Sequence, residues 1–498
     1  MRRAIDPAWK DALPASQPRC SGDGCSLRKF FRALMQRKSL TRVQGIAHFP
    51  DMTFVPLHRS NRSIIFLALA LSNLTALGNG VNRNGSGARS MGLSGAIVAR
   101  PGDPLGAMSA NPAGLTGESK IALSIGAVGI YADAEFTNSV NGTVSLAEPW
   151  GAFPELALAV PLDDSRVTLG FSVIPEVARL SEWRYTDAPG GLDGNTSYGT
   201  RKHSAEIVSI RAAAGFGVKL SDRWSIGGSL GMSHQDISLN APFIFQSFAP
   251  LRGIKTPLDL DTSDRSAWNG DLGVLFRATD RITFGLNYRT ETAISSTGSA
   301  DGNADVQLAN LGLGAARPDF HYDARVETAL PRSLALGAHW QASERLHLSA
   351  QVDWVNWSSS FDTLTVHLSN GNNPDLNGLA GGDSLTDRIP LDWDDTFVYR
   401  LGVEYSPADR WWLRAGYAYG RNPIPNVNLT PLNAAITEHT LSAGVGYAGE
   451  KYRAEFSYQY DLPHTERTGQ SGILDGEYSN SATKLSAHWF GVTVTRYF

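Results

Sequence analysis

The stretch YAGEKYRAEFSYQY, residues 447–460, combines a tight polar turn with side chains that alternate strictly in polarity. After Lys451, the apolar positions are Tyr452, Ala454, Phe456, Tyr458 and Tyr460. The polar positions between and after them are Arg453, Glu455, Ser457, Gln459 and Asp461. Because successive side chains of a β-strand point to opposite faces, this period of two predicts a strand with one apolar and one polar face.

The same pattern of a turn followed by a strand recurs five more times along the chain. The other copies are LDDSRVTLGFSV (162–173), LSDRWSIGGSL (220–230), ATDRITFGLNYR (278–289), ASERLHLSAQVDW (342–354) and PADRWWLRAGYAY (407–419). Asp, Ser, Gly and Pro favour tight turns because they tolerate or preset the backbone angles that a turn requires. The self-similarity therefore predicts a repeated β-hairpin as the building unit of the fold.

Two features favour a membrane barrel over a soluble β-sandwich, whose strands would alternate in the same way. The polar faces carry Arg, Glu, Gln and Asp continuously, which suits a wet lumen. The connections also alternate between tight turns and long polar loops, as they do in outer-membrane barrels. The turns lie around Asp164, Asp222, Asp280, Glu344, Asp409 and Gly449. The long loops are expected near 136–152, 186–202, 241–266, 291–322, 358–396, 421–437 and 462–482.

These connections determine the predicted number of strands. Six turns and seven loops make thirteen connections and therefore fourteen strands, an even number that leaves both barrel ends on the periplasmic side. We predict an all-β fold, a 14-stranded antiparallel transmembrane β-barrel that occupies residues 119–498. The final segment WFGVTVTRYF (489–498) ends on an aromatic residue, which is typical of barrels inserted by the outer-membrane assembly machinery. Arg496 is a charged residue on the otherwise apolar face of this strand. It lies near the membrane–water interface, where the long side chain of arginine can reach water.

Composition is consistent with this fold and argues against two other classes of protein. The 498 residues include 50 Gly, 12 Trp, 15 Tyr and 20 Phe, and no run of about 20 apolar residues that would predict a membrane helix. A net charge of −4 gives no indication of nucleic-acid binding. The two cysteines, Cys20 and Cys25, form a lone C-x4-C, which is a weak signal for a metal or redox site.

A secretory signal appears late in the chain. RSNRSIIFLALALSNLTALG (59–78) has a basic start, a short apolar core and a small-x-small cleavage site. We expect translation to start at Met52, so that residues 52–78 are the signal peptide. Residues 1–51 are then an extension that reflects a start-site artefact or an unusual leader. N-terminal sequencing of the exported protein tests this, and a mature end near Asn79 is the expected result.

Residues 79–118 precede the first strand and do not alternate. They are rich in Gly, Ala and Ser, yet they carry apolar residues that a free periplasmic linker would not need. These are Met91, Leu93, Ile97, Val98, Leu105 and Met108. A barrel of fourteen strands is too wide for its own side chains to fill and would leak if it were empty. We therefore expect this segment to be a hatch that plugs the lumen, with a flexible linker as the alternative.

Three long stretches resemble the FadL family of outer-membrane transporters for long-chain fatty acids and aromatic hydrocarbons. SGARSMGLSGAIVARPGDPLGAMSANPAGLT (86–116) resembles the family's hatch, whose hallmark matches Asn111, Pro112 and Ala113. Leu330–Ser358 and Asp394–Pro425 resemble characteristic stretches of its barrel. The resemblance implies capture of substrate in an apolar groove on the outer loops. It also implies sideways release through an opening in the wall beside a kinked third strand.

The third predicted strand contains Pro175, which cannot donate a hydrogen bond within a ladder. We interpret Pro175 as the kink of the lateral opening, and the alternative is a harmless proline near the outer rim. Two external loops carry apolar clusters that could form the capture groove or pack as a structural cap. They are Phe243, Phe245 and Phe248 in one loop and Leu308, Leu311 and Leu313 in the other. Arg289 and Arg414 face the predicted lumen, where arginines more often pair with acids than bind substrate.

The sequence contains no nucleophile elbow, zinc-binding spacing or phosphate loop, so we expect no enzyme, no cofactor and no metal. The alternative is a membrane lipase or deacylase that uses a Ser–His dyad. The predicted function is passive uptake of hydrophobic compounds across the outer membrane of a Gram-negative bacterium. The expected partners are those small molecules, outer-membrane lipid or lipopolysaccharide, and the assembly machinery, with no nucleic acid and a monomeric state. A general porin and a structural or adhesin barrel are the alternatives.

Overall fold

The computed structural model describes residues 80–81, 83–162, 166–474 and 478–498. The predicted extension at 1–51, the predicted signal peptide at 52–78 and the two cysteines lie outside the described residues. Within the described ranges, no helix is long and apolar enough to cross a membrane.

Nineteen β-strands account for most of the described chain. Their bounds are β1 Ala122–Asn138, β2 Gly142–Ser145, β3 Trp150–Pro161, β4 Val167–Thr186, β5 Thr200–Lys219, β6 Trp224–Ile244, β7 Lys255–Arg277, β8 Ile282–Arg289, β9 Thr292–Asn303, β10 Asp319–Leu330, β11 Ser333–Gln341, β12 Leu346–Val355, β13 Thr363–Ser369, β14 Leu385–Pro390, β15 Thr396–Ala408, β16 Trp411–Tyr419, β17 His439–Ala448, β18 Tyr452–Thr468 and β19 Ser481–Tyr497.

All of these strands belong to one antiparallel sheet that closes on itself. The first and last strands pair from Ala122 opposite Tyr497 to Thr137 opposite Ala482. Five of the wall positions consist of two consecutive strands in line, namely β2 with β3, β8 with β9, β10 with β11, β12 with β13 and β14 with β15. The nineteen strands therefore form a closed barrel of fourteen wall positions, which confirms the predicted fold class and strand number.

The predicted faces of the strands are also confirmed in the inner half of the barrel, next to the tight turns. In β15, Leu401 is exposed on the outside, whereas its neighbour Arg400 is buried inside. In β18, Phe456 is exposed and Glu455 is buried in the same manner. An apolar outer surface that faces lipid and a polar interior are what a transmembrane barrel requires. Arg496 lies on the outer face, where its guanidinium stacks over the rings of Tyr452 and Phe498 at 5.6 and 4.6 Å.

The tight turns lie where they were predicted, apart from Asp164, which falls outside the described residues. The predicted extents of the long loops at 136–152, 241–266, 291–322, 358–396 and 462–482 are wrong, because β-strands continue into all five. In the outer part of β7, Leu258 and Leu260 are buried whereas Asp259 and Asp261 are exposed. The two faces thus exchange their polarity above the membrane, where water lies outside and an apolar core inside.

Within the described residues, five short α-helices lie outside the sheet. Their bounds are α1 Ala88–Met91, α2 Pro104–Ala110, α3 Asp305–Asn310, α4 Trp357–Ser360 and α5 Pro374–Ala380. Two 3-10 turns are also present, at Pro112–Gly117 and Asn426–Asn428. Asp103 caps α2, since its carboxylate accepts a hydrogen bond from Gly106 N at 2.8 Å, and Pro104 occupies the first helical position, where no N–H is needed. The first two helices and the first 3-10 turn precede β1 in the chain.

Candidate functional site

The lumen segment, residues 83–117, runs along the inward-facing side chains of the inner half of the barrel. The six apolar residues singled out in its sequence are all buried there, with at most 2% of their surface exposed. Three apolar side chains of this segment, Leu105, Met108 and Leu115, pack in one cluster with small inward residues of the wall. This packing is what an ordered element requires, and a free linker would leave these side chains in water.

Asn111 joins the lumen segment to the wall. Its side-chain amide donates to the carbonyl oxygens of Val98 at 2.8 Å, Val274 at 3.1 Å and Leu286 at 3.3 Å. Its Oδ1 accepts a hydrogen bond from the backbone N–H of Ala113 at 3.1 Å, which caps the following 3-10 turn. One buried amide thus ties together the segment, β7 and β8.

The residues after Asn111 lie against a glycine floor, formed by Gly227 of β6 and Gly273 of β7, which are direct partners across the ladder. A side chain at Gly227 would collide with the backbone of Pro112 and Ala113. A side chain at Gly273 would collide with Asn111. The structure therefore places Asn111, Pro112 and Ala113 together at one contact with the wall, and the two glycines allow the backbones to approach closely.

Charged side chains hold the other end of the lumen segment. Glu404 of β15 is buried and accepts hydrogen bonds from Arg89 and Arg100 of the segment at 3.1 and 2.5 Å. Arg414 of β16 contacts the same carboxylate at 2.6 Å and also binds Glu455 at 2.9 Å. The predicted lumen orientation of Arg414 is confirmed, and its partners are barrel acids.

Arg289, the second arginine predicted to face the lumen, is likewise paired with acids of the barrel. It contacts Asp271 at 2.8 Å and Glu176 at 3.3 Å. Its guanidinium also donates to the backbone oxygen of Ser109 in the lumen segment at 3.2 Å. Buried charges are tolerated when they are paired and hydrogen-bonded in this way. Both arginines therefore belong to the network that connects the wall to the lumen segment.

The barrel wall is open between β3 and β4. Their ladder runs only from Leu156 opposite Val173 to Pro161 opposite Thr168. Within the described residues, no ladder pair joins Trp150–Glu155 of β3 to β4, although this part of β3 remains paired with β1. Contact resumes where Ala147 N donates to Glu182 O at 2.7 Å. We call the unpaired stretch, Trp150–Glu155 and Ile174–Ser181, the wall gap.

Pro175 lies at the inner end of the wall gap, next to a β-bulge. The pairing of β4 with β5 shifts there, since Pro175 is opposite Ile210 and Val177 is opposite Ser209. Glu176 is the extra residue of the bulge. Before it, even-numbered residues of β4 such as Ser172 are buried, and after it odd-numbered residues are. The bulge keeps both halves of β4 in the correct orientation while it bends the strand.

The first residues of the lumen segment reach the edge of the wall gap. Arg83 forms an ion pair with Glu155, and its guanidinium lies 4.7 Å from the ring centre of Phe153. The second carboxylate oxygen of Glu155 accepts a hydrogen bond from Gly87 N at 2.7 Å. The position of the segment's start is therefore coupled to the part of β3 that lacks a partner on β4.

Three cavities surround the wall gap. One of about 200 Å³ lies inside the barrel and is lined by Arg83, Pro175 and Glu176, among others. A second of about 160 Å³ is lined by Arg83 and by Trp150 and Leu180 from the two sides of the gap. The third, of about 260 Å³, lies in the outer half of the barrel and is almost wholly apolar. We call this third one the apolar cavity. Its wall includes Ile237, Phe243, Leu260, Val326, Leu364 and Trp393.

The residues of the predicted capture groove are partly brought together. Phe243, Phe245, Phe248 and Leu308 belong to the largest apolar cluster of the outer half. Within that cluster Phe245 and Leu308 are buried, and Phe243 lines the apolar cavity. Leu311 and Leu313 stay outside the cluster, and Leu313 is 39% exposed.

A family model described as outer membrane protein transport protein (OMPP1/FadL/TodX) matches residues 68–498. The chain belongs to this family. The family resemblance inferred from sequence is thereby confirmed, and so is the predicted localisation in the outer membrane of a Gram-negative bacterium.

Other OMPP1/FadL/TodX proteins are similar over most of the chain. The long-chain fatty acid transport protein of Escherichia coli O6:H1 is 23% identical, over 78% of this chain and 87% of that protein. A Pseudomonas aeruginosa FadL homologue has a TM-score of 0.64 at 18% identity, over 85% of this chain and 99% of the other. The P. putida toluene transporter TodX has a TM-score of 0.65 at 18% identity, over 83% and 99%. These structures share the fold.

Sequence reasoning missed several residues of this OMPP1/FadL/TodX site, notably Arg83, Glu155 and Glu404. The alternation of β15 and β3 predicts only that their charged residues point inward. It carries no information on which cation of the lumen segment each acid meets, because the partners are far apart in the chain. The available signal is the presence of charged residues at inward-facing positions of the strands.

Proposed function

We propose that this protein mediates passive uptake of hydrophobic small molecules, either long-chain fatty acids or aromatic hydrocarbons. A molecule is captured among the apolar side chains of the outer half and reaches the wall gap after the lumen segment rearranges. It then leaves sideways into the membrane. The wall gap is the observation that carries this proposal, because a closed ladder has no route through its side.

Capture depends on the apolar interior of the outer half of the barrel. Burial of apolar surface contributes about 25 cal/mol per Å². A cavity such as the one lined by Phe243 and Trp393 can therefore bind a hydrophobic molecule that leaves lipopolysaccharide or a micelle. No energy source is required, since an apolar solute partitions from the cavity into the lipid down its own gradient. The relatives named for fatty acid and toluene transport support both candidate substrate classes.

The lumen segment acts as the hatch in this proposal, and Asn111, Pro112 and Ala113 anchor it. Its contacts with β6, β7 and β15 support a resting state in which the lumen is closed to water and ions. A general porin would instead need a lumen open along its length. A structural or adhesin barrel would need neither the wall gap nor cavities beside it. We also propose that the protein is not an enzyme, and that it acts as a monomer assembled through its C-terminal strand.

The test straightens β4. A variant that combines Pro175→Val with deletion of Glu176 removes the bulge, restores the ladder hydrogen-bond donor and allows β4 to pair with β3 across the wall gap. We expect uptake of a long-chain fatty acid and of toluene to fall at least tenfold in cells that lack the chromosomal gene. Glu176→Gln is the matched control, because it removes the same carboxylate and keeps the bulge. Uptake should then stay within about twofold of the wild type.

Heat-modifiable mobility on gels reports whether each variant still folds as a barrel. Equal uptake by the straightened variant and the wild type would overturn lateral release. Unchanged uptake on deletion of the whole gene, in a strain without a second copy, would overturn the uptake function itself.

A further inference from the structure

Arg179 lies on β4 in the middle of the wall gap. It follows the bulge by three residues, and it has the inward parity of its buried neighbours Val177 and Ser181. It lines two cavities at once, the 160 Å³ cavity beside the gap and the apolar cavity of the outer half. Arg179 is therefore a wall residue that the apolar cavity shares with the cavity beside the wall gap.

Among the residues that the structure describes, no group pairs with the guanidinium of Arg179. Its Nε–H is buried, and neither a hydrogen bond nor an ion pair reaches it from any residue of the described ranges. This distinguishes it from Arg289, Arg400 and Arg414, whose guanidinium groups bind acids of the wall. Arg179 as a whole is half-buried, and a cation that is partly withdrawn from water without a counter-charge is destabilised. A ligand that supplies the charge offsets this cost.

Acidic residues of the same cavities are engaged elsewhere or face water. Asp461 accepts hydrogen bonds from Thr440 at 2.5 Å and from Trp489 at 2.7 Å. Glu438 accepts from Asn422 N at 3.0 Å, and Glu148 is exposed. On the wall of the apolar cavity the other charged residue is Glu327, which is paired with Arg325 at 2.9 Å.

The arrangement matches an amphiphile whose head is a carboxylate. A guanidinium presents parallel N–H donors that fit the two oxygens of a carboxylate, and it stays charged at any physiological pH. The adjoining apolar cavity offers a surface for an alkyl chain. A neutral hydrocarbon would fill the cavity equally well, but it would leave the Nε–H of Arg179 unpaired.

We propose that Arg179 is the specificity-determining residue of this transporter and selects anionic amphiphiles, with long-chain carboxylates as the substrate class, over neutral hydrocarbons. The carboxylate binds Arg179 at the wall gap while the chain lies in the apolar cavity. This inference rests on the proposed uptake function and narrows it from two substrate classes to one.

The test compares dodecanoate with dodecan-1-ol, which share a chain and differ in the charge of the head. Binding of each radiolabelled compound is measured on the full-length protein in lipid nanodiscs. Arg179→Met removes the charge and keeps the length of the side chain. We expect it to weaken dodecanoate binding about 10- to 100-fold, as loss of a charge-assisted hydrogen bond does, and to change dodecan-1-ol binding less than twofold.

Two further variants complete the design. Arg179→Lys should retain most of the dodecanoate affinity because it keeps the positive charge. Arg184→Met is the matched control, since Arg184 is exposed on the outer face of the same strand, and it should leave both affinities unchanged. Equal loss of both ligands in Arg179→Met would overturn the proposal, as would wild-type protein that binds both equally. If the wild type binds neither compound, the proposed uptake function fails as well.

Discussion

At the scale of single residues, the side chain of Asn111 alone makes four of the hydrogen bonds of the lumen segment. The amide of Asn111 donates to three carbonyl oxygens, and its oxygen caps the next turn. A carboxylate has no N–H to donate and alanine has no polar group at all. Asparagine is therefore the residue that satisfies both the backbone of the segment and the backbone of the wall.

Substitution of Asn111 should weaken the anchor measurably. Asn111→Ala leaves buried carbonyl oxygens without a donor, so we expect the free energy of unfolding to fall by about 1–3 kcal/mol. Asn111→Asp should cost more, since its carboxylate would face the same carbonyls. The midpoint of heat-induced unfolding, followed by gel mobility, measures both changes. Ser109→Ala, in the same segment, is the control, and equal midpoints for Asn111→Ala and this control would contradict the expectation.

The sequence around an inward-facing arginine did not predict whether that arginine has an acidic partner. The alternation of polar and apolar positions predicted that Arg289 and Arg414 face the lumen, and it left open whether each meets an acid of the protein or a substrate carboxylate. Arg179 follows a proline and a bulge, which shift the parity of the strand. Its inward orientation therefore follows only from the pairing of β4, and its lack of a partner among the described residues follows only from the folded barrel.

At the scale of strands, the glycine floor explains how the lumen segment approaches the wall. Gly227 and Gly273 are opposite each other in β6 and β7. Because neither has a side chain, the backbone of the lumen segment can lie directly against the wall there. A β-branched residue would have suited either strand better by propensity alone. The close contact with Pro112 and Ala113 overrides that preference.

Gly227→Ala should displace the lumen segment locally, because the added carbon atom would collide with backbone atoms that cannot rotate away. We expect trypsin to cleave after Arg89 at least tenfold faster in folded protein. Gly129→Ala is the control, since an added carbon there meets nothing closer than 4.0 Å. Cleavage rates that match between the two variants would argue against a tightly seated segment.

The number of strands was predictable from sequence, whereas the length of several strands was not. Turn spacing predicted all fourteen wall positions, because turn residues and alternation are local properties. The sequence predicts loops for the outer parts of β7, β9 and β10, where polar residues lie outside and apolar residues inside. That polarity is typical of a sheet in water, and only the position of the membrane boundary explains the exchange.

At the scale of the whole molecule, the lumen segment and the barrel form one electrostatic unit. Glu404 receives two arginines from the segment and one from the wall, and Arg83 reaches Glu155 on the far side of the segment. Removal of the segment would leave several buried charges without partners, and water would enter to solvate them.

The conductance of the purified protein tests this closure. In planar bilayers, we expect the full-length protein to be nearly closed and a variant without residues 83–117 to show a steady large conductance. The variant's barrel fold is checked by heat-modifiable mobility before it is recorded. A full-length protein that conducts as steadily as the deletion variant would favour a general porin.

The sequence by itself determined the number of strands and the direction of their side chains in the membrane. Backbone geometry fixes these features within a few residues, so a local pattern is sufficient. The tertiary structure alone decided the wall gap, the partners of the buried charges and the isolation of Arg179. Each of these depends on which distant residues the closure of the barrel and the path of the lumen segment bring together.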